Sequence, residues 1–125
     1  PMDYVCQRLA IAAGLVQSIF MGFREARKCF QAGNMQGGNQ SLITSVNDLK
    51  AFFEWYAALK DLIPAVDAAK YDITPHVESI STVCKRICQQ QLYQSWWALG
   101  ETLGKDLEPA LDKLEDFFRK LNLAQ

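Results

Sequence analysis

The side chains best equipped for chemistry in this chain are one histidine and four cysteines, and their spacing supports little of it. His76 follows Pro75 at what reads as the start of a helix, where an imidazole is expected to face solvent. As a general base it would need a nucleophile within hydrogen-bond reach and a carboxylate to orient it. Cys84 lies more than two helical turns further on, so no triad assembles. Cys84 and Cys88, at i and i+4, supply half of a thiolate zinc site, which needs two further ligands. Cys6 and Cys29 share one predicted helix and stand about 35 Å apart, so only one of them could approach. Small apolar residues in a helix seam are the simpler reading of both pairs. No Glu-x-x-His pair of the di-iron kind occurs. Gly37-Gly38 lacks the strand before it and the Lys-Ser or Lys-Thr after it that a phosphate-binding loop requires. No catalytic residue, metal or cofactor is expected, and the chain reads as non-enzymatic.

The carboxylates tell the same story. Glu115 with Arg119 and Asp116 with Lys120 sit at i, i+4, which is the spacing of a solvated helix face. Glu108 and Asp112 extend that face and make its start acidic. Lys and Arg number 13 against 14 Asp and Glu, a net charge of -1. The basic group Arg24, Arg27 and Lys28 is diluted by Glu25, so no stripe exists for a nucleic acid, whose affinity comes mainly from phosphate neutralisation. Cys6 and Cys29 cannot both meet the Cys84–Cys88 pair, because a disulfide needs Cα atoms within about 7 Å. Two bridges are therefore excluded, a secreted disulfide framework is not expected, and a reducing, cytoplasmic setting is.

These residues must be positioned by helices. Met2, Val5, Leu9, Ala12, Val16, Ile19, Phe23, Ala26 and Phe30 recur at alternating steps of three and four. That spacing predicts a first helix over residues 3–31, whose wide apolar arc suits several neighbours rather than one coiled-coil partner. A row of small residues, Ala10, Gly14, Ser18 and Gly22, lies near its polar side and reads as surface. The apolar stretch 9–23 falls short of the roughly 20 residues that a bilayer requires, so a membrane span is not expected. The glycines between 33 and 38 predict a loop, and Asn39 or Ser41 a cap for a second helix ending near Ile63. Its inward row is Leu42, Val46, Leu49, Phe53, Tyr56 and Ile63. Residues 65–71 suit a short extra helix in the connection. Thr74-Pro75 opens a third helix running to about Leu103, whose apolar row rotates within residues 89–91. Gly104 is read as its stop, Asp106 as the cap of a fourth helix, and the short link between them as a helical hairpin.

The chain is thus expected to be all-α, an antiparallel bundle of four main helices forming one domain over residues 2–125, with Pro1 a remnant of tag removal. One feature rises above that background. Ala51, Trp55, Ala58 and Leu62 form a second apolar row on the second helix, roughly opposite its inward row. Either this helix is buried all round, or it offers an aromatic stripe to a partner, since Trp and Tyr dominate binding hot spots. The adjacent Trp96 and Trp97 point about 100° apart, which places at least one of them at the bundle margin. These six residues are the expected contact set of an adaptor or interaction domain that binds a partner helix or a second copy. The competing readings are a carrier with an apolar inter-helix pocket and a membrane-active bundle.

Overall fold

In a computed structural model, which describes residues 1–124, the threes and fours of the N-terminal segment become one buried row. Val5, Leu9, Ala12, Val16, Phe23 and Ala26 are fully buried, and Ile19 and Phe30 keep only 7% and 5% of their exposure. The carrier of this row is two helices, α1 (Met2–Leu9) and α2 (Ala12–Gln31), rather than one. At the junction the Ile11 N–H donates to the Arg8 carbonyl, an i−3 bond of 3.2 Å that tightens one turn and lets the row continue. The combined run Met2–Gln31 is long and apolar enough to cross a membrane by length and composition; here its apolar row lines the protein core.

The glycine cluster is the first correction to the sequence reading. α2 ends on Gly33, at φ 82°, in a Schellman motif: the Asn34 N–H reaches the Cys29 carbonyl (2.8 Å) and the Gly33 N–H that of Phe30 (3.2 Å). α3 (Met35–Lys60) begins at once, and Asn34 is its cap, accepting from the Gly37 N–H at 2.9 Å. Gly37 and Gly38 therefore lie inside the first turns of a helix. They are small because neighbours crowd them: a Cβ on Gly38 would lie 2.7 Å from the Phe30 ring. Further along the same seam a Cβ on Gly22 would meet the Ser45 hydroxyl, so the small-residue row of α2 reaches its partner helix there instead of lying on open surface. Phe30 facing Gly38 and Gly22 facing Ser45 make α2 and α3 antiparallel.

A 3-10 helix (Ala65–Tyr71) fills the connection, as the composition suggested, and α4 (Thr74–Leu92) follows with Pro75 in its first turn. Thr74 is not its cap: the cap position falls on Ile73, which has no side-chain capping bond, and one carboxylate oxygen of Asp72 just before it accepts from the Thr74 N–H (3.0 Å) and hydroxyl (2.6 Å). Those two bonds hold the Asp72 carboxyl below its ordinary range.

The expected third helix does not run on to Leu103. The rotation of its apolar row marks a chain reversal at Tyr93–Ser95, again a Schellman motif, with Gln94 in the left-handed position at φ 55°. α5 (Trp96–Thr102) then passes through a π-turn (Leu103–Leu107) directly into α6 (Glu108–Leu123). Gly104 is therefore no stop, and no hairpin forms there; a Cβ on it would lie 2.9 Å from the Arg27 side chain. Asp106 caps nothing and instead accepts from Arg86 at 2.7 Å.

The regular elements among the described residues are all helical, with no strand among them. α2 packs along α3, α5 and α6, and α4 packs on α5 and α6, while α3 and α4 approach each other far less closely. Leu99, Leu103, Leu107, Leu111, Leu114 and Phe118 form a fully buried spine. Phe52, Tyr56 and Phe118 close the core with ring centroids 5.3–6.4 Å apart. The Tyr56 hydroxyl donates to the Tyr71 carbonyl. Burial, with Asp72 and Tyr71 adding to it, pushes that phenol well above its ordinary pKa.

Candidate interaction surface

α3 buries the face that meets α2 and α6, and this decides where its second apolar row points. The buried set is Leu42, Ser45, Leu49, Phe52, Tyr56, Leu59 and Ile63. Phe52 replaces the expected Phe53, which with Val46 is only half-buried, because α4 stands too far off to cover that side. Ala51, Ala58 and Leu62 are exposed, Leu62 at 47%, and Trp55 is half-buried. The Trp55 ring leans on Phe52, centroids 5.6 Å apart.

Across from this row stands the N-terminal part of the chain. Leu15, Ser18 and Ile19 of α2 face Asp48, Ala51 and Trp55 of α3 over a groove of about 310 Å3. Trp55 also belongs to a smaller hollow of about 130 Å3 with Tyr4, Ala58 and Leu62. Tyr4, Ile11 and Leu15 keep 40–49% of their exposure along this side, and the Arg8 guanidinium lies 5.1 Å from the Tyr4 ring centre. At its other end the groove meets a polar one lined by Gly22, Glu25, Cys29, Ser41 and Ser45, with Asp48 common to both. The whole seam thus runs from apolar to polar, and the charges that line it are carboxylates. It can bury an apolar helical stripe and offer acceptors to donors beside it; it holds no paired acid and base.

Trp96 and Trp97 are not part of this groove. Trp96 stacks on Phe30, centroids 5.5 Å apart and planes 9° from parallel, while Trp97 is 80% exposed. Both lie beside Met35, at the start of α3. Trp55 is twenty residues further along that helix, about 30 Å away at 1.5 Å per residue. The six residues expected to act together occupy two separate surfaces.

The reactive side chains are scattered. His76 is half-buried, its ring 5.5 Å from that of Phe117. Burial, with Cys88 one turn away adding to it, pushes the Cys84 thiol up to about 11. The four cysteines are unpaired. No three of His, Cys, Asp and Glu converge on a point among the described residues.

One polar constellation escaped the sequence reading, which put Glu108 on a solvated face. Glu108 is 6% exposed and accepts from the Nε of Arg24 (3.1 Å) and of Arg27, two residues of α2. Arg24 also lies over the Phe20 ring at 4.5 Å, and Arg27 donates to Gln31 at 2.9 Å. The readable signal was Arg24 and Arg27 at i, i+3 beside an apolar face; the π-turn that aims Glu108 at them has no sequence signature of its own. Against family models, curated proteins and solved structures, the chain finds no match.

Proposed function

We propose that this chain is a non-enzymatic interaction domain, an antiparallel bundle of the four rods α1–α2, α3, α4 and α5–α6, whose α2–α3 groove takes a partner helix or a second copy. The observation that carries the reading is the half-buried Trp55 at the junction of two apolar hollows, flanked by exposed Tyr4, Leu15 and Leu62. Helix-in-groove recognition uses this arrangement: an aromatic anchor in a shallow apolar trough between two helices. A carrier of small apolar ligands needs an enclosed pocket, whereas Ala51, Leu15 and Leu62 leave this one open to solvent. Four unpaired cysteines fit a reducing compartment, and the proposed site of action is the cytoplasm.

The test separates folding from binding. Phe52, 4% exposed, is the control: Phe52→Ala should cost about 3–5 kcal/mol of stability. Trp55→Ala should cost far less, about 1–2 kcal/mol, because its ring is only half covered. Helical peptides selected from a displayed library on the wild-type protein, or its own self-association by native mass spectrometry, should weaken tenfold or more in Trp55→Ala and Leu62→Ser. Binding that is indifferent to both changes would remove the groove from consideration.

A further inference from the structure

Charge is placed along this chain in a way the α2–α3 groove does not explain. Residues 29–47 and 87–100 contain no Asp, Glu, Lys or Arg; all 13 basic and 14 acidic side chains lie elsewhere. The fold carries both segments to the same end of the molecule. One holds the α2–α3 turn and the first half of α3, the other the end of α4, the reversal and the start of α5. Phe30 stacked on Trp96, and Gln91 donating to Asn39 at 2.9 Å, join them. On this end Leu92, Tyr93 and Trp97 are 76%, 76% and 80% exposed. Leu92 and Tyr93 stand bare at the reversal, and Trp97 borders an open hollow of about 370 Å3 with Phe30, Met35 and Trp96. The next charge along α5, Glu101, is paired with Lys105 at 3.1 Å.

We propose that this uncharged end is a membrane-contact surface that seats Trp97, Tyr93 and Leu92 in the interfacial layer of a neutral, zwitterionic phospholipid bilayer. Trp and Tyr settle at headgroup level because each joins an apolar ring to a polar handle. A charge brought to that depth loses its hydration, so an end without one approaches without that penalty. The exposed amides of Gln31, Gln36, Gln89 and Gln94 surround the tip and can exchange water for headgroup oxygens. Recruitment by anionic lipid needs clustered Lys and Arg at the contact, and both segments have none. A second copy fits less well, since two such ends bring no opposite charges together to fix a pairing, whereas the interfacial layer needs none. The contact is peripheral, about 5–10 Å deep, and is independent of the groove reading.

The experiment is flotation of the whole chain with vesicles of phosphatidylcholine alone and with vesicles that also contain phosphatidylserine. Tryptophan quenching by bromine-labelled lipid is read in parallel. Wild type should float with phosphatidylcholine at millimolar lipid, with no gain from phosphatidylserine. Tyr93→Ser/Trp97→Ser should weaken partitioning about tenfold or more, while Trp55→Ala leaves it unchanged. The double variant should keep the wild-type thermal melt; should it melt early, Leu92→Ser provides the same comparison. No flotation of wild type, flotation only with phosphatidylserine, or equal flotation of the double variant each overturns the proposal. So does a wild-type dimer in lipid-free solution that the double variant loses.

Discussion

Gly33 and Gln94 occupy the same position in two copies of one turn, and only one of them suits it. Each is the left-handed residue of a Schellman motif, with φ of 82° and 55°. A side chain in that region costs roughly 1–2 kcal/mol, which glycine avoids at about half that cost in extra chain entropy. Gln94→Gly should therefore raise the unfolding free energy by up to about 1 kcal/mol, read as a higher denaturant midpoint at constant slope. An unchanged or lower midpoint would mean that the Gln94 side chain contributes something the turn geometry does not show. Gly33 announced its turn in the sequence because glycine is the expected residue there; Gln94 did not, and the reversal was read as the middle of a helix. Phe52 and Phe53 were misassigned for a related reason. Two adjacent aromatics lie 100° apart on a helix, and only the position of the neighbouring helices decides which is covered.

At the scale of elements, the helices and some of their ends were legible, those at Gln31, Ala65–Tyr71 and Thr74 among them, while the break before Ala12, the start at Met35 and the reversal at Tyr93–Ser95 were not. Every residue expected in the row from Val5 to Phe30 is buried, since a buried stripe of that length has one periodicity, and Ala13 and Phe20 widen it beyond what the spacing showed. Gly37, Gly38 and Gly104 were read as punctuation, and all three lie in helical turns where a Cβ would press on a neighbouring side chain. Glycine that makes room and glycine that turns the chain look alike in a sequence. The π-turn Leu103–Leu107 is the costliest of these misreadings, because it places Glu108. Glu108→Ala leaves Arg24 and Arg27 facing the core margin without their carboxylate. Both guanidinium groups retain some water, with side chains 38% and 22% exposed, so the loss should be about 2 kcal/mol rather than the larger value of a fully buried pair. Equilibrium unfolding of Glu108→Ala, Arg24→Ala and the double variant would measure it; strictly additive losses would mean that the contact contributes nothing of its own.

For the whole molecule, the separation between α3 and α4 is the feature that composition could not reveal. Cys84 and Cys88 both lie on α4, and Cys88 lines a hollow of about 170 Å3 with Leu42, Val46 and Ile87 between the two helices. With its thiol pushed up to about 11, Cys84 is about one part in a thousand thiolate at pH 8. Iodoacetamide should modify exposed Cys88 first, and the Cys84 rate should climb roughly tenfold per pH unit until it nears that value. Equal rates for the two at pH 8 would show that α3 and α4 part in solution. The candidate surface was half legible: the stripe through Trp55 was visible as a second apolar row, but its apposition to Tyr4 and Leu15 depends on the α2–α3 pairing. Trp96 and Trp97 were grouped with it by residue type and by their 100° separation, neither of which fixes the distance to Trp55.

The length of α3 that holds Trp55 and the Trp97 tip about 30 Å apart also sets how the two surfaces can influence each other. That gap exceeds the screening length of about 8 Å at physiological salt several times over. It is also beyond the range at which substitutions couple through shared neighbours. Direct electrostatic or contact coupling between the two proposed surfaces is therefore expected to be small, read as an unchanged affinity of one when the other is occupied. On the two proposals made above, such a molecule would work as a spacer that joins two events in space at a fixed standoff.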